Sequence, residues 1–138
     1  MNDLKTLPFT FARAMESHDV ENIGDWIDES YVQHNPFLPQ GIPGVKMFMD
    51  AWDNAFSDTK ITVEDVIVSG DRVVGRFTFK ARHTGSFMGV PATGNDIVMT
   101  AIDIWQVKDG KFVEHWDEFN GVEFFEQIGG RPGKQGAH

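Results

Sequence analysis

The sequence predicts an α+β domain, with N-terminal helices set against a mainly antiparallel sheet, and three observations carry that prediction. Apolar residues keep a helical spacing as far as Phe56 and change to a period of two from Lys60 onward. Helices first and a run of antiparallel strands second is the order of an α+β chain. The 138 residues suffice for one core, so a single domain is expected over 1–130, with a disordered tail, RPGKQGAH, over 131–138. His138, in that tail, is set aside as a functional candidate.

Taken in order, Phe9, Phe11, Ala12 and Met15 fall near helical spacing and predict a first helix. Asp19 is placed to cap a short second helix through Ile23, Trp26 and Ile27. YVQHNPFLPQGIPG follows, with three prolines and two glycines, and reads as a shaped loop. In GVKMFMDAWDNAF, the residues Val45, Phe48, Met49, Trp52 and Phe56 form one stripe of an amphipathic helix. Two strands then meet at Ser69-Gly70-Asp71, a hairpin signal. In the second of them Val73, Phe77, Phe79, Ala81 and His83 share one face, and Arg72, Arg76, Lys80 and Arg82 the other. SFMGVPATGND connects to IVMTAIDIWQV and KFVEHWDEF, two strands joined across Lys108-Asp109-Gly110. GVEFFEQIG closes the domain as a short helix stopped by Gly129 and Gly130. A sheet curved around the helices would leave a concave pocket between the layers.

Composition narrows the function classes. The formal charge of −9 disfavours nucleic acid and anionic lipid as partners, since phosphates call for clustered Lys and Arg. Cysteine is absent, which removes disulfides, thiolate metal sites and Cys nucleophiles. The N-terminus carries Asp3 without a continuous apolar run, and no stretch approaches membrane-spanning length, so a soluble, cytoplasmic protein is expected. Twelve Phe and four Trp against one Tyr suit a core or an apolar pocket.

Several side chains could carry chemistry. Asp103 lies mid-strand among Met99, Ala101, Trp105 and Val107; it reads equally as a catalytic acid or as an edge-strand hydrogen bonder. Alternation puts Val113, His115, Asp117 and Phe119 on one face near a strand end, where a His and an Asp form a workable acid/base unit or a surface ion pair. His83 ends an apolar face, the usual place of a hydrogen-bonded core histidine. His34 and Asn35 occupy the proline-rich loop, where such residues hold turns together. Trp26, Phe37, Phe48, Trp52 and Trp105 fit a core, a ligand platform, or both. His34, His83 and His115 with two carboxylates could in principle hold a metal, but no compact HxxxH or HExxH spacing supports one. A phosphate-cradling glycine loop and a GxSxG elbow are both missing from the sequence.

SYVQHNP in the loop, RHTGSFMGVPATG after the long strand and IDIWQVKDGKFVEHWD at the end resemble the SnoaL-like polyketide cyclases, over roughly Asp3 to Gly129. The resemblance implies the cone-shaped nuclear transport factor 2-like fold, shared with ketosteroid isomerase, in which a strongly curved sheet wraps the helices. It implies intramolecular aldol condensation without metal or cofactor. Asp117 falls at the family's acid/base aspartate, Asn35 and His34 on the loop that supplies a pocket Asn, and His83 on a His before the connection. Asp103 departs from the pattern, because cyclases carry a pocket His there. An ionised Asp103 could not donate to a developing oxyanion, whereas a protonated one could.

The expected function is therefore a cofactor-free acid/base enzyme acting on a small apolar or aromatic carbonyl compound. Isomerisation, dehydration and epoxide hydrolysis are relatives of that chemistry, and a non-catalytic small-molecule-binding module is the rival from another class. His34, His115, Trp26, Phe37, Phe48, Trp52 and Trp105 are expected to line the pocket, and Asp117, Asp103, His83 and Asn35 to act on the ligand. A homodimer is expected, because both faces of IVMTAIDIWQV are apolar and helices cover only one.

Overall fold

The computed structural model describes residues 3–129, so the predicted disordered tail at 131–138 lies outside the described residues. Three α-helices, α1 (Leu7–Ser17), α2 (Gly41–Ala55) and α3 (Gly121–Gln127), accompany five strands. These are β1 (Ile27–Gln33), β2 (Phe56–Ser69), β3 (Arg72–His83), β4 (Asp96–Lys108) and β5 (Lys111–Phe119). The sheet order is β1-β5-β4-β3-β2, antiparallel throughout except for the parallel pair of β1 and β5.

The helix α1 opens with Pro8 in its first turn, where a missing N–H breaks no helical bond. It ends at His18, whose backbone is left-handed at φ 53°. That conformation is unfavourable for a residue with a Cβ. His18 is held there from α2, its Nε2 lying 2.7 Å from Asp50 Oδ1 and its Nδ1 3.4 Å from Asp53 Oδ2. Leu7, Ala12 and Met15 turn into the core, while Phe9 stays largely exposed.

Curvature comes from bulges. β2 gains an extra residue against β3 between Ser57 and Lys60, where Asp58 is left-handed, and again between Val63 and Asp65. Each extra residue increases local twist. The sheet curls so far that its two edge strands, β1 and β2, both touch α2, but it does not close. Two glutamines complete its edges. Past the end of β5, Gln127 uses its side-chain amide as a strand would, accepting from Val98 N at 2.6 Å and donating to Val98 O at 2.8 Å. Gln40 does the same for β1, accepting from Gln33 N at 2.9 Å and donating to Gln33 O at 2.8 Å. Backbone groups that a sheet edge would otherwise leave open are thereby satisfied.

Three sequence expectations need correction. The short helix through Ile27 is only a 3-10 turn, Ile23–Asp25, and the carboxylate of Asp19 takes the Asn22 amide at 3.3 Å instead of capping a backbone N–H. Ile27 starts a strand, so the first residues of the expected proline loop, Tyr31 to Gln33, belong to β1. A third correction concerns β5. Val113 is the extra residue of a bulge between the pairs Gln106↔Glu114 and Val107↔Phe112. The bulge reverses the alternation, so buried Phe112 shares the inner face with His115 while Val113 does not.

Candidate active site

The inner face of the sheet buries a polar cluster in an aromatic setting. On β4 the buried positions are Ile97, Met99, Ala101, Asp103, Trp105 and Val107, so the carboxylate of Asp103 points inward at 5% exposure. Its cross-strand neighbour on β3 is Gly75, and the ring of Phe77 fills the space where a Cβ would stand, 2.6 Å from that point. Its neighbour on β5 is Asp117. Asp103 is thus dry on one side and faces a second carboxylate on the other.

His115, 8% exposed, completes the cluster. Its Nε2 lies 2.7 Å from Asp103 Oδ1 and its Nδ1 2.9 Å from Gln33 Oε1. The imidazole is stacked on Trp105 at 5.1 Å, and Trp105 in turn on Phe112 at 4.4 Å. Tyr31 also lies parallel to the imidazole at 6.3 Å, with Gln33 Nε2 3.5 Å from the Tyr31 hydroxyl. Strand alternation on β1 sends Tyr31 and Gln33 inward together. The bulge at Val113 and the stack on Trp105 set the ring's plane, which is how the sequence aims it at Asp103.

Electrostatics follow from burial. Loss of water pushes the Asp103 carboxyl above the ordinary carboxylate range, opposed by its hydrogen bond and attraction to His115 and assisted by the charge of Asp117. Asp117, half-buried, is pushed up chiefly by desolvation, with His115 opposing and Glu118 assisting. Burial pushes the Tyr31 hydroxyl far upward, and the charges of Asp103 and Asp117 add to it, so it stays protonated. Asp117 makes no side-chain hydrogen bond among the described residues, which leaves its oxygens open to a ligand.

The remaining candidates lie elsewhere. His83 pairs with Phe56 eight residues along β3 from Gly75, the partner of Asp103, which is roughly 26 Å of strand at the usual rise. It is fully buried, its Nδ1 3.0 Å from Thr93 Oγ1, and burial pushes its pKa down. His34 sits on the outer face, its ring parallel to Trp116 at 5.0 Å and its Nε2 2.7 Å from Glu114 Oε2. Asn35 accepts the Phe37 N–H at 2.9 Å on its side-chain oxygen and so holds the turn. Phe37 is 78% exposed. Trp26 packs edge-on against Phe11 and Phe112, and Trp52, with Phe48 beside it, belongs to the aromatic cluster of Phe56, Phe87 and Phe124. Of the predicted site residues, the structure brings together Asp103, His115, Asp117 and Trp105.

Tyr31 and Gln33 were missed by sequence reasoning, since Tyr-Val-Gln carries no alternation of apolar and polar residues; the period of two shows only in the folded strand, where both are buried and Val32 between them is exposed. A cleft of about 440 Å³ between β1 and the start of α2 has Tyr31, Gln40 and Ile42 among its walls. A second, of about 340 Å³, opens on the outer face beside Trp116, Ile102 and His34 and reaches Asp117. Register settles the aspartate's side: it pairs with inward Asp103, and its neighbours Trp116 and Glu118 alternate outward. Among the described residues no group of three or more His, Asp or Glu could hold a metal ion, and no helix is long and apolar enough to cross a membrane.

Comparison with known proteins gives a consistent result. TsrD from Streptomyces laurentii is similar at 31% identity, with 91% of this chain and 94% of that one covered and a TM-score of 0.85. AclR, a candidate hydroxylase from Streptomyces galilaeus, is 28% identical over 91% and 95% of the two chains, with a TM-score of 0.81. IdmH from Streptomyces antibioticus, a candidate polyketide cyclase, is 28% identical over 93% and 99%, with a TM-score of 0.79. No curated protein matches the chain. The helices and mixed curled sheet are those of the nuclear transport factor 2-like fold. The model of the SnoaL-like polyketide cyclases matches residues 7–128, and the chain belongs to that family.

Proposed function

We propose that the protein is a cofactor-free acid/base enzyme that closes a ring in a small apolar carbonyl compound by intramolecular aldol condensation, with Asp117 as the proton-transfer group. One observation carries this reading. Asp117 is a half-buried carboxylate without a hydrogen-bond partner among the described residues, placed directly opposite the buried Asp103–His115 pair. A carboxyl held above its ordinary range is a better match for proton abstraction near neutral pH than a solvated one.

In this reaction Asp117 removes the acidic C–H proton next to a carbonyl, leaving an enolate. The enolate carbon attacks a second carbonyl carbon of the same molecule, forming one C–C bond and an alkoxide. Protonated Asp117 returns the proton to the alkoxide oxygen, so product and substrate are isomers and no redox partner enters. The Tyr31 hydroxyl, kept protonated by burial, serves as a neutral donor for enolate charge. Trp105, Phe112 and Phe77 supply the apolar background, and the substrate reaches Asp117 from the cleft that has this residue in its wall.

The test is deuterium incorporation into an aromatic 1,3-dicarbonyl compound in heavy water, with and without protein. Acceleration by the wild type that vanishes in a folded Asp117→Asn variant supports the reading. Equal rates for the two proteins remove Asp117 from the chemistry.

We also propose that a second copy of the chain covers the outer sheet face. On the central strand β4, Val98 and Ile102 are 41% and 50% exposed, and Ile104 beside them is partly so. Apolar residues in a row on a middle strand call for cover.

A further inference from the structure

We propose that Gln33 is a positioning residue that fixes His115 as the Nδ1–H tautomer, so that one proton lies between His115 Nε2 and Asp103 and the pair bears no net charge beside Asp117.

The argument starts at a backbone N–H. The amide of His34 can only donate, and it lies 3.2 Å from Gln33 Oε1. The atom facing it must therefore be the side-chain oxygen, because the opposite amide orientation would set two donors against each other. The main chain of Gln33 has little freedom to escape this contact, since Gln40 clamps both its N–H and its C=O. The same Oε1 stands 2.9 Å from His115 Nδ1. An oxygen that only accepts requires Nδ1 to donate.

The other end of the ring then follows. A neutral imidazole has one N–H, so with Nδ1 protonated, Nε2 presents a lone pair to Asp103 Oδ1 at 2.7 Å. Two lone pairs do not rest at that distance. A proton must stand between them, on the carboxyl or on the ring. In the first case the pair is a neutral acid and a neutral imidazole; in the second it is a carboxylate and an imidazolium. Both sum to zero charge. Burial of Asp103 acts in the same direction, favouring a proton held at the pair.

The consequence rests on the proposed role of Asp117. A reversed tautomer, Nε2–H on an ionised Asp103, would leave a net negative charge directly opposite Asp117 and hinder its ionisation. With the pair neutral, Asp117 is the one carboxylate in the cluster free to give and take a proton.

The test is two-bond proton–nitrogen NMR on protein with 15N-labelled histidine, recorded at neutral pH without substrate. The His115 signals are assigned by their absence in His115→Gln. Wild type is expected to show Nδ1 protonated, alone or together with Nε2. Gln33→Glu, which keeps an acceptor for both donors, should retain that pattern. Gln33→Leu removes the acceptor and should move the ring toward the Nε2–H form. A wild-type spectrum with Nε2 protonated and Nδ1 bare overturns the proposal, as does a folded Gln33→Leu protein indistinguishable from wild type. If Gln33→Leu does not fold, the wild-type and Gln33→Glu spectra decide alone. No turnover is involved, so this result and the deuterium-exchange result can fail separately.

Discussion

Asp103 and Asp117 occupy directly opposed positions on β4 and β5, with both side chains on the inner face of the sheet. Like charges in that relation repel, and here one partner is almost wholly removed from water. The pair is tolerable because His115 engages Asp103 from the side at 2.7 Å. Two aspartates that look equivalent along the strands therefore have different duties. Asp103 is tied up; Asp117 is free.

Replacement of Asp117 by Asn keeps the shape and removes the basic oxygen. Turnover should fall by about a hundred- to ten-thousand-fold, the usual contribution of a positioned acid or base. Asp103→Asn should lose less, because the amide N–H can still donate to His115 Nε2. Steady-state rates on an aromatic dicarbonyl substrate, with folding checked by circular dichroism, measure both. A larger loss in Asp103→Asn than in Asp117→Asn reverses the assignment.

The pH dependence follows from the upward push on Asp117. In the unfolded chain this carboxyl ionises near its ordinary value of 3.8, and in the fold it ionises higher. The folded state therefore binds the proton more tightly. Its contribution to stability is complete below the unfolded value and is lost as pH rises through the folded one. Urea midpoints measured from pH 3 upward should fall more over this window for wild type than for Asp117→Asn. The acidic limb of kcat/KM should likewise lie above the ordinary carboxylate range, because the base must be ionised to act. An acidic limb at or below that range removes Asp117 as the titrating base.

Much of the fold could be read from the chain, and the reasons differ by element. β3 and β4 alternate without interruption beside Asp103, so the sequence groups Val73, Phe77, Phe79 and Ala81 on one face, and likewise Met99, Ala101, Trp105 and Val107, and both groups are buried on the inner face of the sheet. β1 was lost because its partner is β5, some eighty residues downstream, and Asp28, Glu29 and Ser30 dilute its apolar signal. With β1 lost, nothing in QHN showed which polar residue would point inward. Pairing of Gln33 with His115 chooses Gln33 and sends His34 to the outer face. The bulge at Val113 was equally hidden, since it depends on how β5 registers with β4. His83 shared the right face but the wrong end of β3, a distance that a period of two does not encode.

The outer sheet face gives a prediction about assembly. Ile102 lies at its centre on β4, half exposed, with Ile104 and Trp116 beside it. Sedimentation at micromolar concentration is expected to show a dimer of the 15.5 kDa chain. Ile102→Lys should shift it to monomer, because a charge would be buried in the contact without a partner. Its side chain points away from Asp103, so circular dichroism should be unchanged. A wild-type monomer at that concentration counts directly against pairing through this face.

The last prediction uses an accident of composition: Tyr31 is the only tyrosine in the chain, so tyrosinate absorbance reports one known side chain. Its hydroxyl is pushed far above the ordinary value of about 10 by burial, and the charges of Asp103 and Asp117 add to that push. In the unfolded chain the phenol ionises normally. The folded state thus holds a proton that the unfolded state gives up, so its stability is intact below about pH 10 and declines as pH rises beyond it. An ultraviolet titration should show no tyrosinate while circular dichroism remains native. The absorbance should then appear together with loss of structure, in a single transition. Tyr31→Phe should unfold at higher pH than wild type, since it removes the group whose ionisation favours the unfolded chain. Tyrosinate absorbance rising near pH 10 in a protein that still shows native circular dichroism would place the hydroxyl in water, and would remove it as the neutral donor facing the enolate.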